Sequence, residues 1–223
     1  MATTVEAPPR TAPVLPAIPS ASGWLAQPTN RYLALGGTIL AVTLIASFVV
    51  LSGQRKEAFA GRALDQARNA AESGNLALAA SELQKVSTTF SGTRAAQEAV
   101  ITLNQVRLVN GQHELAAVGL QDFLKGNPSP QFRAPAYGLL GRALENAKRP
   151  GEAADAYGKA SGTADVDYLR ADYLLDAARA WMAAGEREKA IASYQRVTKD
   201  FPKTAANTEA DIRLAELTAV VGS

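Results

Sequence analysis

The chain has one histidine and no cysteine in 223 residues, and that inventory settles early which chemistry is open to it. Without thiols there is no disulfide, no zinc–thiolate or iron–sulfur ligand, no cysteine nucleophile and no cysteine to carry a lipid. His113 cannot by itself assemble a multi-histidine metal site, and it stands where a helix should begin, so an exposed helix-start residue is expected before a catalytic base. Gly36-Gly37 is not followed by the Lys-Ser/Thr of a phosphate loop. Glu72, Glu82, Glu98 and Glu114 are scattered among basic neighbours, which suits pairing along helix surfaces better than a carboxylate dyad. No catalytic residue, cofactor or metal is expected. The chemistry left is recognition. Arg68, Arg142 and Arg179, with Gln105 completing the series, recur at intervals of 37 residues, and each guanidinium can grip a carboxylate with two hydrogen bonds. Nucleic acid is not the expected ligand, because 23 basic residues nearly balance 21 acidic ones and no aromatic stacking platform exists.

That interval belongs to the whole second part of the chain. Gly74, Gly111 and Gly185 end helical stretches, and Lys148 fills the vacant slot between the last two at the same spacing. Five residues after each slot stand Ala79, Ala116, Ala153 and Ala190; nine after stand Leu83, Leu120, Tyr157 and Tyr194. Twelve after come Val86, Phe123, Ala160 and Val197, and seventeen after, two of the four are Pro128 and Pro202. Upstream, Tyr137, Leu140, Gly141 and Leu144 in the third repeat match Leu174, Ala177, Ala178 and Trp181 in the fourth. The pattern predicts a helix, a tight turn and an antiparallel second helix, with the small alanine admitting a close helix contact. One such hairpin cannot bury its apolar face alone, so neighbours stack into a solenoid. The first repeat carries only Ala63, Ala67 and Ala70 at the first-helix slots.

This spacing resembles the tetratricopeptide repeat, with aromatic or Leu, Gly/Ala, Gly, Ala, aromatic and Pro at these relative positions. The unit of 37 exceeds the usual 34, which predicts a longer inter-hairpin loop or second helix. Four repeats are expected over 57–203 and a capping helix over 205–221, ended by Gly222.

Residues 33–52 (LALGGTILAVTLIASFVVLS) contain neither charge nor proline. Twenty residues at about 1.5 Å each span a bilayer core. Trp24, Arg31 and Tyr32 on one flank, and Arg55 and Lys56 on the other, are placed as interfacial anchors. The run is too long and starts too late for a cleaved signal peptide, so one uncleaved span over 31–54 is expected, with lipid as its partner. Ala34/Thr38, Gly37/Ala41 and Thr43/Ser47 put small residues at helix-pairing spacing. Residues 1–30 form a proline-rich tail in which Pro13, Pro16 and Pro19 match the polyproline II period, disordered or docked as an extended peptide. The expected architecture is therefore all-α: tail 1–30, transmembrane helix 31–54, and a TPR-like domain over 55–223.

Tail, single span and TPR-like domain together resemble a family of bacterial inner-membrane proteins whose best-known branch is the ancillary subunit of the Sec translocon. The resemblance implies a non-catalytic chaperone or adaptor, with repeats in the periplasm and an N-terminus in the cytoplasm, binding client polypeptides or other membrane-complex subunits. A permanent structural subunit of a respiratory or photosynthetic complex is the alternative. Counting positives near the ends, Arg10 and Arg31 before the span against Arg55, Lys56, Arg62 and Arg68 after it, leans toward a cytoplasmic repeat domain. Arg62 and Arg68 should already lie inside a folded helix, and without them the count is two against two. In TPR-like solenoids the first helix of each hairpin lines a concave groove, and the residue six before the turn faces into it. That implies a basic rail of Arg68, Gln105, Arg142 and Arg179, beside an apolar trough of Leu64, Ile101, Leu175, Leu108 and Met182. The competing expectation is that these arginines are solvated and paired with acids such as Glu72, Glu145 or Asp176.

Overall fold

The computed structural model describes residues 28–219, which are helical apart from short links. Trp24, the five prolines from Pro8 to Pro19 and Gly222 lie outside the described residues. The chain divides into two units, Met1–Gly53 and Gln54–Ser223.

In the first unit, helix α1 (Pro28–Glu72) begins three residues earlier than expected. Proline suits a helical first turn, where its missing N–H has no partner to lose. Up to Gly53 no side chain of α1 is buried, and Leu33, Ile39, Ile45 and Phe48 are each more than 60% exposed. The hydroxyls of Thr38, Thr43 and Ser52 donate to the carbonyls of Ala34, Ile39 and Val49, so these three polar groups are satisfied within the helix.

The second unit contains the rest of α1 and eight further helices: α2 (Leu76–Thr89), α3 (Arg94–Val109), α4 (His113–Lys125), α5 (Pro130–Asn146), α6 (Pro150–Thr163), α7 (Asp167–Ala183), α8 (Arg187–Asp200) and α9 (Ala205–Ala219). They form four antiparallel hairpins and a terminal helix, which lies at the expected capping position and packs against α7 and α8. At each turn the backbone is left-handed: φ is +82° at Gly74, +74° at Gly111, +79° at Gly185 and +62° at Lys148. Lys148 thus adopts the conformation that glycine supplies in the other three turns, at a steric cost that glycine lacks.

Each hairpin is closed by the residues the repeat selects. Ala79, Ala116, Ala153 and Ala190 are all fully buried, as the close approach of the two helices requires. Leu83, Leu120, Tyr157 and Tyr194 fill the space beside them. The added length of the repeat lies elsewhere than expected. The first helices α3, α5 and α7 have 16, 17 and 17 residues, whereas α2, α4, α6 and α8 have 13 or 14, and the links at 90–93, 126–129, 164–166 and 201–204 are short. A longer first helix adds almost one turn of packing surface without lengthening a loop. Successive repeats are also tied by polar contacts: Glu57 accepts from the first backbone N–H groups of α3, Arg94 at 2.9 Å and Ala95 at 2.8 Å, and Gln97 accepts from Ser129 N at 2.8 Å. A carboxylate at a helix N-terminus satisfies orphan donors and complements the helix dipole.

Candidate protein-binding groove

The four residues six before the turns all lie on first helices of the hairpins: Arg68 on α1, Gln105 on α3, Arg142 on α5 and Arg179 on α7. Gln105, Arg142 and Arg179 are exposed and Arg68 is half-buried. The three arginines differ in their partners. Arg68 donates to Glu98 across to α3, and Arg179 pairs with Asp176 one turn away at 2.7 Å. Arg142 forms no ion pair among the described residues. Two of the three arginines are therefore already paired, with Glu98 taking the place of Glu72 as the partner of Arg68, and Arg142 is the open cation of the column.

The apolar slots divide by depth. Leu64, Ile101 and Leu175 are buried at 3%, 9% and 4% exposure, inside the packed cores of the hairpins, and so add to stability instead of to the groove surface. Burial follows from their neighbours: Leu64 and Leu175 belong to the clusters around Leu83 and Tyr194, and Ile101 to the cluster around Leu120. Leu108 is half-buried and Met182 is the accessible member. Arg68 and Gln105 line one depression of about 400 Å³ with Ala71, Thr102 and Val109. Arg179 and Met182 line another of about 260 Å³ with Tyr194 and Arg213.

Around Arg142 the repeat glycines admit aromatic rings. A Cβ on Gly138 would fall 2.4 Å from the Tyr173 ring, and one on Gly141 2.6 Å from that of Tyr157. The Tyr157 hydroxyl donates to Glu145 Oε2 at 2.6 Å. Burial, followed by that carboxylate, pushes the Tyr157 phenol far above its ordinary range. Burial also raises the Asp176 carboxyl, with Arg179 opposing the shift and the negative charges of Glu145 and Asp172 adding to it. The surface around Arg142 thus combines an exposed cation with a buried phenol and a half-buried carboxyl group.

Of the other candidates, Arg31 and Tyr32 lie in the first two turns of α1, and both are exposed. Arg55 is exposed, and Lys56 donates to Ser91 O at 2.7 Å, so it is tied to the repeat domain. Arg62 stacks over Phe59 with 5.4 Å between its guanidinium carbon and the ring centre. His113 begins α4 and is half-buried, with Nδ1 lacking a hydrogen-bond partner. Among the described residues, no three Asp, Glu or His side chains are grouped to hold a metal. Sequence reasoning missed the polar pair Asn104 and Arg107, on a helix face that is apolar in the other repeats; the signal was their identity at two slots of the repeat itself.

The family model for the tetratricopeptide repeat matches residues 172–204, which cover most of α7, α8 and the link after it. No curated protein matches the chain. Among solved structures, two crystal structures of the nearly identical TPR-like repeats of a Podosopora anserina putative kinesin light chain are similar. They are 19% and 18% identical, each with a TM-score of 0.56 over 72% of this chain, and 85% and 86% of theirs is covered. The crystal structure of MamA is 22% identical, covering 61% of this chain and 74% of that one with a TM-score of 0.49. The chain is an all-α protein with a TPR-like solenoid and one long apolar N-terminal helix, a fold consistent with protein–protein interaction.

Proposed function

We propose that the chain is a membrane-tethered, non-catalytic module that holds polypeptides against the first helices of its repeats. The observation that carries the reading is the apolar stretch of α1, none of whose most apolar eighteen-residue window is buried, joined in sequence to a TPR-like domain. In water that surface would be a large uncovered apolar patch; in a bilayer it is solvated. The internally bonded hydroxyls of Thr38, Thr43 and Ser52 support the same setting, since lipid offers polar groups no partner.

On the repeats, the open Arg142, the exposed Gln105 and the accessible Met182 offer polar and apolar contacts along one column. An extended or helical segment carrying acidic groups fits that chemistry. The resemblance to the ancillary Sec translocon family favours a bacterial inner membrane, with repeats in the periplasm and a chaperone or adaptor role. Carbonate extraction tests the tether: the full chain is expected in the membrane pellet, and deletion of 33–52 is expected to release a helical soluble domain. Recovery of the full chain in the soluble fraction overturns the tether. Protease added to spheroplasts is expected to digest the repeats; protection puts them in the cytoplasm. Affinity capture from solubilised membranes separates the two roles, because varied substoichiometric clients indicate an adaptor and one stoichiometric partner a permanent subunit.

A further inference from the structure

The second repeat carries charge where the others carry carbon. Four residues before the turn stand Ala70, Leu144 and Trp181 in three repeats and Arg107 in the second; seven before stand Ala67, Gly141 and Ala178, and in the second Asn104. Asn104 is fully buried. Its Nδ2 donates to Val100 O at 2.8 Å and its Oδ1 accepts from Arg107 Nη1 at 3.0 Å. Arg107 Nη2 donates to Gln84 Oε1 at 3.4 Å. These are amide partners only, and among the described residues no carboxylate pairs with Arg107. Burial correspondingly lowers the proton affinity of its guanidinium, with no acid to offset it.

Room has been left beside this cation. A Cβ on Gly119 would fall 2.7 Å from Asn104 Oδ1 and 2.8 Å from Arg107 Nη1, so glycine at this position admits these two side chains against α4. A cleft of about 210 Å³ lies there, lined by Gln84 and Ser87 of α2, Asn104 and Arg107 of α3, and Gly119 and Phe123 of α4. A half-buried cation without a counter-charge has lost part of its hydration, and a guanidinium has five donors of which two are engaged here. One positive charge among neutral neighbours matches one carboxylate, whereas a dianionic phosphate would leave negative charge uncompensated.

We infer that this cleft is an acceptor for a single carboxylate side chain of a bound polypeptide, gripped by Arg107 with Phe123 against its methylene stem. The cleft draws on the second helices α2 and α4, so it is a surface separate from the column of Arg68, Gln105, Arg142 and Arg179. It rests on the polypeptide-binding reading for the carrier of the carboxylate, but not for the carboxylate itself.

The test is a titration of the full chain in nanodiscs, following the Nε–H resonance of Arg107 by NMR, assigned by its loss in Arg107→Lys. Acetate at constant ionic strength is expected to move that resonance saturably, and chloride to leave it in place. A decapeptide of alternating Glu and Ala is expected to give the same shift at a half-saturation at least tenfold lower than acetate, and the Gln-Ala peptide none. No saturable shift, or the same shift with chloride, overturns the site. A response to acetate without one to the Glu-Ala peptide overturns the polypeptide as carrier. Arg142→Ala combined with Arg179→Ala is expected to leave the Arg107 titration unchanged, which separates failure of this cleft from failure of the groove on the first helices.

Discussion

Tyr157 and Tyr173 show how single residues set the surface around Arg142. Each ring lies on a glycine of α5, so the backbone of that helix doubles as the floor of an aromatic slot. Gly141→Ala would place a methyl group within 2.6–2.8 Å of three Tyr157 ring atoms. We expect a loss of about 1–3 kcal/mol, as for other overpacked sites, measured by urea denaturation; an unchanged midpoint would mean that the ring is free to swing away. Asp176 gives a pH signature at the same scale. Its folded carboxyl is raised above the unfolded value by burial first, so the unfolded chain gives up its proton earlier as pH rises. The cost of Asp176 is therefore absent in acid, below about pH 3.9 where the unfolded group titrates, and grows until the folded group has also ionised. Asp176→Asn should melt higher than the parent at pH 7 and at the same temperature near pH 3. A gain of equal size at both values would place its origin in something other than this carboxyl. The glycine at 141 was readable as a repeat slot; the ring that fills it was not, because that contact depends on how α6 turns towards α5.

Among the elements, the turns carried the most information in the sequence. Gly74, Gly111 and Gly185 set a register that the left-handed backbone confirms, and the break in that register at Lys148 turned out to be chemical and not geometric. Lys148→Gly should stabilise the third hairpin by about 1 kcal/mol, since a lysine at positive φ bears a steric cost of that order, and thermal melting reads it directly. A fall in stability would show that the lysine side chain makes a compensating contact. The alanines five residues on were equally legible, because their fully buried side chains answer to a spacing visible in the sequence. Ala190→Leu should therefore cost about 1–3 kcal/mol by forcing α7 and α8 apart; a tolerated leucine would mean that α8 is packed in a different register. Less legible was the placing of the extra residues. Spacing between turns fixes the length of a repeat but not its division between helix and loop, and it is the first helices that extend. Burial of Leu64, Ile101 and Leu175 was hidden for a different reason: spacing places a residue on a helix face but not on the groove or core side of it, and these three lie in the packed clusters.

For the molecule as a whole, two features that were plain in the sequence define the account, an uncharged apolar run and a repeat of 37 residues. The first leaves the apolar side chains of α1 without protein cover up to Gly53, and the second builds a solenoid whose first helices present Gln105 and Arg142 to solvent. Charge counting could not orient the chain, since Arg10 and Arg31 before the span are matched by Arg55 and Lys56 after it. On the proposed function, these first helices hold a polypeptide at a membrane. Photo-cross-linking in native membranes tests it most directly, with a photoreactive residue at Gln105 and, as the comparison, at Arg196 on α8, whose side chain is also well exposed. Discrete polypeptide adducts are expected from position 105, retained in the carbonate-washed membrane pellet, and few or none from position 196. Equal adducts from both positions, none from 105, or adducts released by carbonate would contradict the proposed function.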